Sequence, residues 1–152
     1  MSERNICVNR KANFSYFLEE KIECGLQLLG VEIKSVFASH CNLKEDCFCR
    51  VENGEVFAYG FHIQPYHNAD AFLKEEPDRP KKLLLHKKEI VKLSQVINQD
   101  GLTLIPTRVY FVNGRAKMEI AIAKGKHLYD KRKTIAEREN KRTIERELKN
   151  RF

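Results

Sequence analysis

No run of about 18 apolar residues occurs in this 152-residue chain, so no segment reads as a membrane-spanning helix. The first residues, Met1-Ser2-Glu3-Arg4-Asn5, lack the apolar stretch of a secretory signal, and a cytoplasmic protein is expected. The cysteines are odd in number, Cys7, Cys24, Cys41, Cys47 and Cys49, with no Cys-x-x-Cys pair. That pattern fits reduced thiols better than a disulfide framework. Cys47 and Cys49 would share one face of a strand, with His40 and Cys41 close by in sequence, but the spacing matches no common zinc template. Buried, inert thiols and no metal are expected. Phosphate-cradling Gly-x-x-x-x-Gly-Lys, dinucleotide-binding Gly-x-Gly-x-x-Gly and zinc-binding His-Glu-x-x-His are all missing. The five histidines are scattered, and His62 with His86 could serve a metal-free ribonuclease only if the fold joined them. Neither an enzyme nor a cofactor is expected.

What is present is an uneven charge. Residues 124–152 carry 11 of the 28 Lys and Arg but 5 of the 21 Asp and Glu, a net +6 out of the chain's +7. Residues 1–123 are left at +1. A basic arm on a near-neutral body is an electrostatic footprint for a polyanion. Gly125 and Tyr129 sit inside the basic run Lys124 to Arg132. Backbone freedom and a stacking ring beside cations suit RNA bases better than a solubility tail. The arm begins a helix at Thr134-Ile135-Ala136-Glu137, a capping box, with Glu137/Lys141 and Glu145/Lys149 as favourable i,i+4 pairs. It has no continuous apolar stripe to dock, so residues from about 128 are expected to be disordered until a partner folds them into helix.

The body, residues 1–123, reads as β-rich. Asn9 is placed as a helix N-cap ahead of Arg10–Phe17, and the cations Arg10 and Lys11 at that start oppose the helix dipole, which points to a ligand. Ile22–Leu28 alternates, with Ile22, Cys24, Leu26 and Leu28 inward and Glu23 and Gln27 outward. A short helix or turn is expected at Glu32–Ser39. Asn53-Gly54 and Asn113-Gly114 mark hairpins, joining Cys47–Val51 to Val56–Phe61 and Leu102–Val112 to Arg115–Ala123. Pro106 suggests that its strand is bent or lies at an edge. Residues 66–82 read as a polar loop feeding Leu83-Leu84-Leu85, and His86 to Gln99 as a helix stopped by Gly101. Many short strands without βαβ alternation predict a mainly β fold with accessory helices, a small closed barrel with the OB type as one candidate.

The stretches Ile22-Glu23-Cys24-Gly25-Leu26, Gly30-Val31-Glu32-Ile33-Lys34-Ser35, Lys82-Leu83-Leu84-Leu85-His86 and Lys124-Gly125-Lys126 with Asp130-Lys131-Arg132 resemble, in order and spacing, the SmpB family of SsrA-binding proteins. The resemblance runs from about Asn9 to Arg142. It implies an OB-fold barrel that binds the tRNA-like half of transfer-messenger RNA (tmRNA), and a role in trans-translation on stalled ribosomes without catalysis by the protein. It places the family's RNA-contacting glutamate on Glu23, and the leucine and polar residue of its Leu-Leu-Leu motif on Leu84 and His86. Arg10, Lys11 and Lys34 complete the expected RNA-binding set. The family's tail fills the empty mRNA channel near the decoding centre. Here that tail would comprise Lys124, Gly125 and Lys126, then Tyr129 at the aromatic position beside the decoding bases, then Asp130, Lys131 and Arg132. The chain departs from the pattern at Glu45-Asp46-Cys47, where Asp-Ser-Tyr is usual and the aromatic is lost, at Phe14 in place of histidine, and over 66–76.

The residues support that assignment chemically. An outward carboxylate such as Glu23 repels phosphate but accepts from base amino groups, so it can discriminate a nucleotide. A monomer when free, with tmRNA and the small ribosomal subunit as partners, is the expectation. The rival is a general tRNA- or RNA-binding translation or chaperone module with the same barrel and tail but no tmRNA specificity.

Overall fold

The computed structural model describes residues 3–65, 76–98, 101–125, 136–144 and 146. Its elements are β1 (Arg4–Val8), α1 (Ala12–Ser15), β2 (Tyr16–Leu26), α2 (Gly30–Phe37), β3 (Cys41–Glu52), β4 (Glu55–Ile63), β5 (Lys81–Leu84), α3 (Lys87–Ile97), β6 (Leu102–Val112) and β7 (Arg115–Gly125). Residues 136–144 form a further helix, α4, exposed throughout. The strand order β1-β6-β3-β4-β5-β2-β7, with β6 also paired to β7, closes six strands into a barrel, and β1 flanks it on β6. Closure removes the open edges that β-sheets otherwise present. Most inward residues form one core, centred on Cys24, Val56, Phe61, Leu83, Leu104, Val109, Met118 and Ile120, with Leu93 of α3 packed into it.

Both hairpins form where the Asn-Gly pairs predict them. Asn53 and Gly54 take φ of 49° and 75°, Asn113 and Gly114 take 54° and 74°, the doubly positive backbone of a type I′ turn. The turn fixes the register, so Val112 faces Arg115 and Tyr110 faces Lys117. In β7, Met118, Ile120 and Ile122 point inward and are buried. The segment expected at Glu32–Ser39 is helical as far as Phe37, and Ala38 and Ser39 turn out of it; Glu32, in the first turn of α2, accepts the Leu29 N–H at 2.9 Å. The same carboxylate pairs with Arg79, whose Nε lies 3.1 Å from Oε2.

Some expectations change. Asn9 is not a helix cap. It is buried, its backbone N–H donates to Thr107 O at 2.7 Å, and its amide donates to Pro106 O at 2.9 Å and Cys47 Sγ at 3.2 Å. The helix therefore shrinks to α1, and Tyr16 and Phe17 join β2 by pairing with Gly125 and Lys124. Pro106 does lie beside a bulge, between Pro106 and Arg108, but it is buried inside a strand with neighbours on both sides. The bulge accommodates its missing N–H. Lys81, read as loop, is a β5 residue with no exposed surface; its ammonium donates to the carbonyls of Phe61 and Pro77, both at 2.6 Å. Burial pushes its pKa down to about 8. Residues 66–75 of that expected loop lie outside the described residues. In the arm, residues 136–144 are helical, with Glu137 and Lys141 on one face and Thr143 Oγ1 donating to Glu139 O at 3.0 Å.

The cysteines are free, and Cys24, Cys47 and Cys49 are buried. Burial pushes Cys24 and Cys47 up to about 12 and Cys49 well up, which keeps them protonated and inert. Gly60 is the tightest glycine: φ is +82°, and a Cβ there would meet Cys47 Cα at 2.7 Å. Gly60→Ala should therefore cost about 3 kcal/mol by combining a left-handed backbone with a backbone clash. Gly54→Ala, at φ +75° with nothing within 4 Å, should cost only the backbone part, about 1 kcal/mol. Urea midpoints of the two variants would separate them, and equal losses would contradict the packing described.

Candidate RNA-binding groove

One end of β2, the junction of β5 with α3, the β6–β7 turn and Ile33 of α2 enclose an open groove of about 570 Å³. Glu23, Leu84 and His86, expected from sequence to act together, all line it. They arrive by three routes. Strand alternation turns Glu23 outward while Cys24 enters the core. Pairing of Gly25 with Leu84 lays β5 against β2, and a Cβ on Gly25 would meet Leu84 Cβ at 3.2 Å, so glycine lets the strands approach. His86 is the residue before α3, and its backbone N–H is held by Glu89 Oε1 at 3.3 Å. Leu84 is 50% exposed while Leu83 is 1% exposed, so Leu84 is not core. With the exposed Ile33 on the same groove, Leu84 gives it an apolar contact surface.

Glu23 is held in place. The Tyr110 hydroxyl donates to its Oε2 at 2.6 Å, and Lys117 Nζ lies 4.0 Å from Oε1. Tyr110 is buried, and its pKa is raised by that burial and then by the Glu23 bond, so the hydroxyl remains a donor. The Arg108 guanidinium lies 4.0 Å from the Tyr110 ring centroid and is itself fixed by Glu119 at 2.6 Å and Glu3 at 2.9 Å. The carboxylate keeps acceptor capacity beyond the Tyr110 bond. With Glu89, Arg115, Lys117 and His86 also on its walls, the groove carries charges of both signs, which suits selective contact with base edges as well as attraction to phosphate.

The description "SmpB protein" belongs to the family model that matches residues 6–150. This chain belongs to the SmpB family. The SsrA-binding protein of Acetivibrio thermocellus is 51% identical over 150 residues, covering 99% of this chain and 96% of that one. The SsrA-binding protein of Caldanaerobacter subterraneus subsp. tengcongensis is 52% identical over 144 residues, covering 95% and 90%. A solved chain described as "tmRNA-SmpB: a journey to the center of the bacterial ribosome" superposes with a TM-score of 0.64 at 36% identity, covering 80% of this chain and 84% of that one.

The other residues expected from the sequence lie elsewhere. Arg10 and Lys11 precede α1, beside the far end of β2, where Tyr16 pairs with Gly125. Lys11 is 2.7 Å from Glu45 there. Lys34 is exposed on α2 and does not line the groove. Lys124 and Gly125 are exposed but still part of β7, two residues beyond the expected end of the body. Lys126, Tyr129, Asp130, Lys131 and Arg132 lie outside the described residues. At the Glu45-Asp46-Cys47 departure an aromatic does stand close by. β3 shifts register between Leu43 and Phe48, and Phe48 stacks on Tyr59 with centroids 5.0 Å apart and planes 4° apart. His62 and His86 have separate surroundings: His62 Nδ1 is 2.9 Å from Asp78, and His86 borders the groove. Among the described residues no group of His, Cys, Asp and Glu could hold a metal, and no helix is long and apolar enough to cross a membrane.

Sequence reading missed Tyr110, Lys117 and Glu89. The signal for Lys117 and Tyr110 was available, because a two-residue Asn113-Gly114 turn sets them opposite each other.

Proposed function

We propose that this chain binds the tRNA-like domain of tmRNA through the groove at Glu23, Leu84 and His86, and carries it to ribosomes stalled without a usable codon. The observation that carries this reading is the convergence of those three residues on one groove, from segments far apart in the sequence. Glu23 accepts from base amino groups, Leu84 packs on a base or ribose, and His86 donates to RNA or stacks on it. The N-terminal end of α3 opens beside them, where its partial positive charge favours a phosphate. The protein supplies shape and contact and catalyses nothing; its place of work is the cytoplasm.

Tyr16 to Gly25 is about 30 Å of strand, so the groove and the root of the arm stand at opposite ends of β2. That separation supports two jobs for one protein. The barrel grips the folded RNA in place of a missing anticodon arm. The arm, residues 126–152, enters vacant mRNA space near the decoding centre, Tyr129 against the decoding bases and Lys131 and Arg132 against phosphates. Arg10 and Lys11 sit at the arm's root, where they would meet ribosomal RNA.

Gel shifts of labelled tmRNA with the full-length protein at fixed salt test the reading. A large excess of ordinary tRNA should leave the shifted band in place. Equal competition by tRNA would favour a general RNA-binding module. Affinity should also fall with salt at a log–log slope of about −0.7 to −0.9 per phosphate contact.

A further inference from the structure

The two ends of α3 serve different surroundings. Its first turn borders the groove, and its last turn borders a separate cleft of about 360 Å³ between β3 and the start of β6. We propose that this second cleft receives one unpaired nucleobase of RNA, as a contact independent of the groove.

The cleft has an aromatic wall. Phe48 stands there on the outside of the barrel, stacked on Tyr59 at 5.0 Å and packed against the small outer cluster of Ala12, Ile105 and Ala123. Its ring is therefore oriented before anything binds, which is the arrangement that makes base stacking favourable. The Arg50 guanidinium lies 5.8 Å from the centroids of both rings. Its side chain is 61% exposed and its partner Glu52 is 3.6 Å away, a loose surface pair that leaves the cation available to a phosphate. Glu52 also accepts from the Tyr59 hydroxyl at 2.7 Å, which fixes the second ring.

The floor is apolar, Ile97 and Leu104, and the rim is polar, Asn98 and Thr103. α3 ends here with no basic side chain in its last turn. The last carbonyls of a helix carry partial negative charge and accept hydrogen bonds. The Asn98 amide and the Thr103 hydroxyl each donate and accept, so this rim can pair with a base edge while Arg50 presents a cation to the backbone. A purine offers a larger stacking face to the Phe48 wall than uracil does, so adenine should be preferred to uracil. An apolar slot with an aromatic wall, a cation and convergent polar groups is also the general form of a small-ligand site.

The test uses full-length protein and short labelled oligoribonucleotides. Ultraviolet cross-linking of an oligoadenylate, followed by peptide mapping, should place adducts on the peptide containing Phe48 or Tyr59, and Glu23→Gln should leave that adduct in place. Arg50→Gln, at an exposed position that does not threaten folding, and Phe48→Leu should each weaken oligoadenylate binding about tenfold, in the range of a lost stacking contact. Oligouridylate should bind less tightly than oligoadenylate to the wild type. Adducts confined to the groove or the arm, oligoadenylate affinity unchanged in Arg50→Gln, or equal affinity for oligouridylate would each overturn the proposal. Because Glu23→Gln acts only at the groove, failure of this cleft is distinguishable from failure of the groove.

Discussion

Replacing Glu23 by glutamine should weaken binding of the tRNA-like domain of tmRNA by about tenfold to a hundredfold, the value of one well-placed base-edge contact. The choice of glutamine follows from the hydrogen bond made by Tyr110. Its hydroxyl donates to Glu23 Oε2 at 2.6 Å, and a glutamine carbonyl can accept the same bond. Alanine would leave the buried Tyr110 hydroxyl without that acceptor, at a cost of about 1–3 kcal/mol, and would mix instability with lost recognition. With glutamine the urea midpoint should stay near wild type. What changes is the far side of the carboxylate, where one acceptor becomes a donor that repels an amino group. Calorimetric or gel-shift affinity unchanged in Glu23→Gln would remove Glu23 from the RNA interface.

Ending the chain at Gly125 should abolish tagging of stalled nascent chains while reducing tmRNA affinity by only a few-fold. The barrel loses no described ladder pairing in this truncation. β7 ends at Gly125, which pairs with Tyr16, and Lys124 pairs with both Phe17 and Leu102. The truncation also removes most of the net charge of +7, so long-range attraction to any RNA weakens, which accounts for the few-fold loss. The steep effect belongs to the ribosome. In the proposed division of labour the arm fills the vacant mRNA space, so without it the complex has no means of standing in for codon–anticodon pairing. A reconstituted translation reaction on a message without a stop codon reads both outcomes. A truncated protein that still supports tagging would end the division of labour between barrel and arm.

The parts of this molecule that local chemistry controls were legible in its sequence. Two Asn-Gly pairs gave two hairpins with their registers. Alternation in Ile22–Leu28 turned Glu23 outward and Cys24 inward, and the helix expected from His86 to Gln99 forms as α3 with Leu93 buried. The motif at Lys82–His86 pointed to the groove, although it did not separate core Leu83 from exposed Leu84. What stayed hidden depends on partners distant in sequence. Asn9 reads as a cap because its side chain can reach the next residues; it instead reaches Pro106 and Cys47 across the barrel. Lys81 reads as solvated because a lysine pair usually is; two carbonyls, from Phe61 and Pro77, make its burial possible. Phe48 was obscured by a bulge that shifts register in β3, which no count along the sequence reveals.

The most direct test compares two double variants of the full-length protein for affinity to the tRNA-like fragment of tmRNA at one salt concentration. One carries Leu84→Ser with His86→Ala, in the groove. The other carries Arg10→Ala with Lys11→Ala, at the root of the arm. Both sets are solvent-exposed, so neither should disturb the fold. The groove pair should lose at least about tenfold in affinity, and the arm-root pair should lose only the few-fold expected of two screened charges. A groove pair that binds as well as wild type, with the loss falling on Arg10 and Lys11 instead, would show that the RNA is gripped at the other end of the barrel.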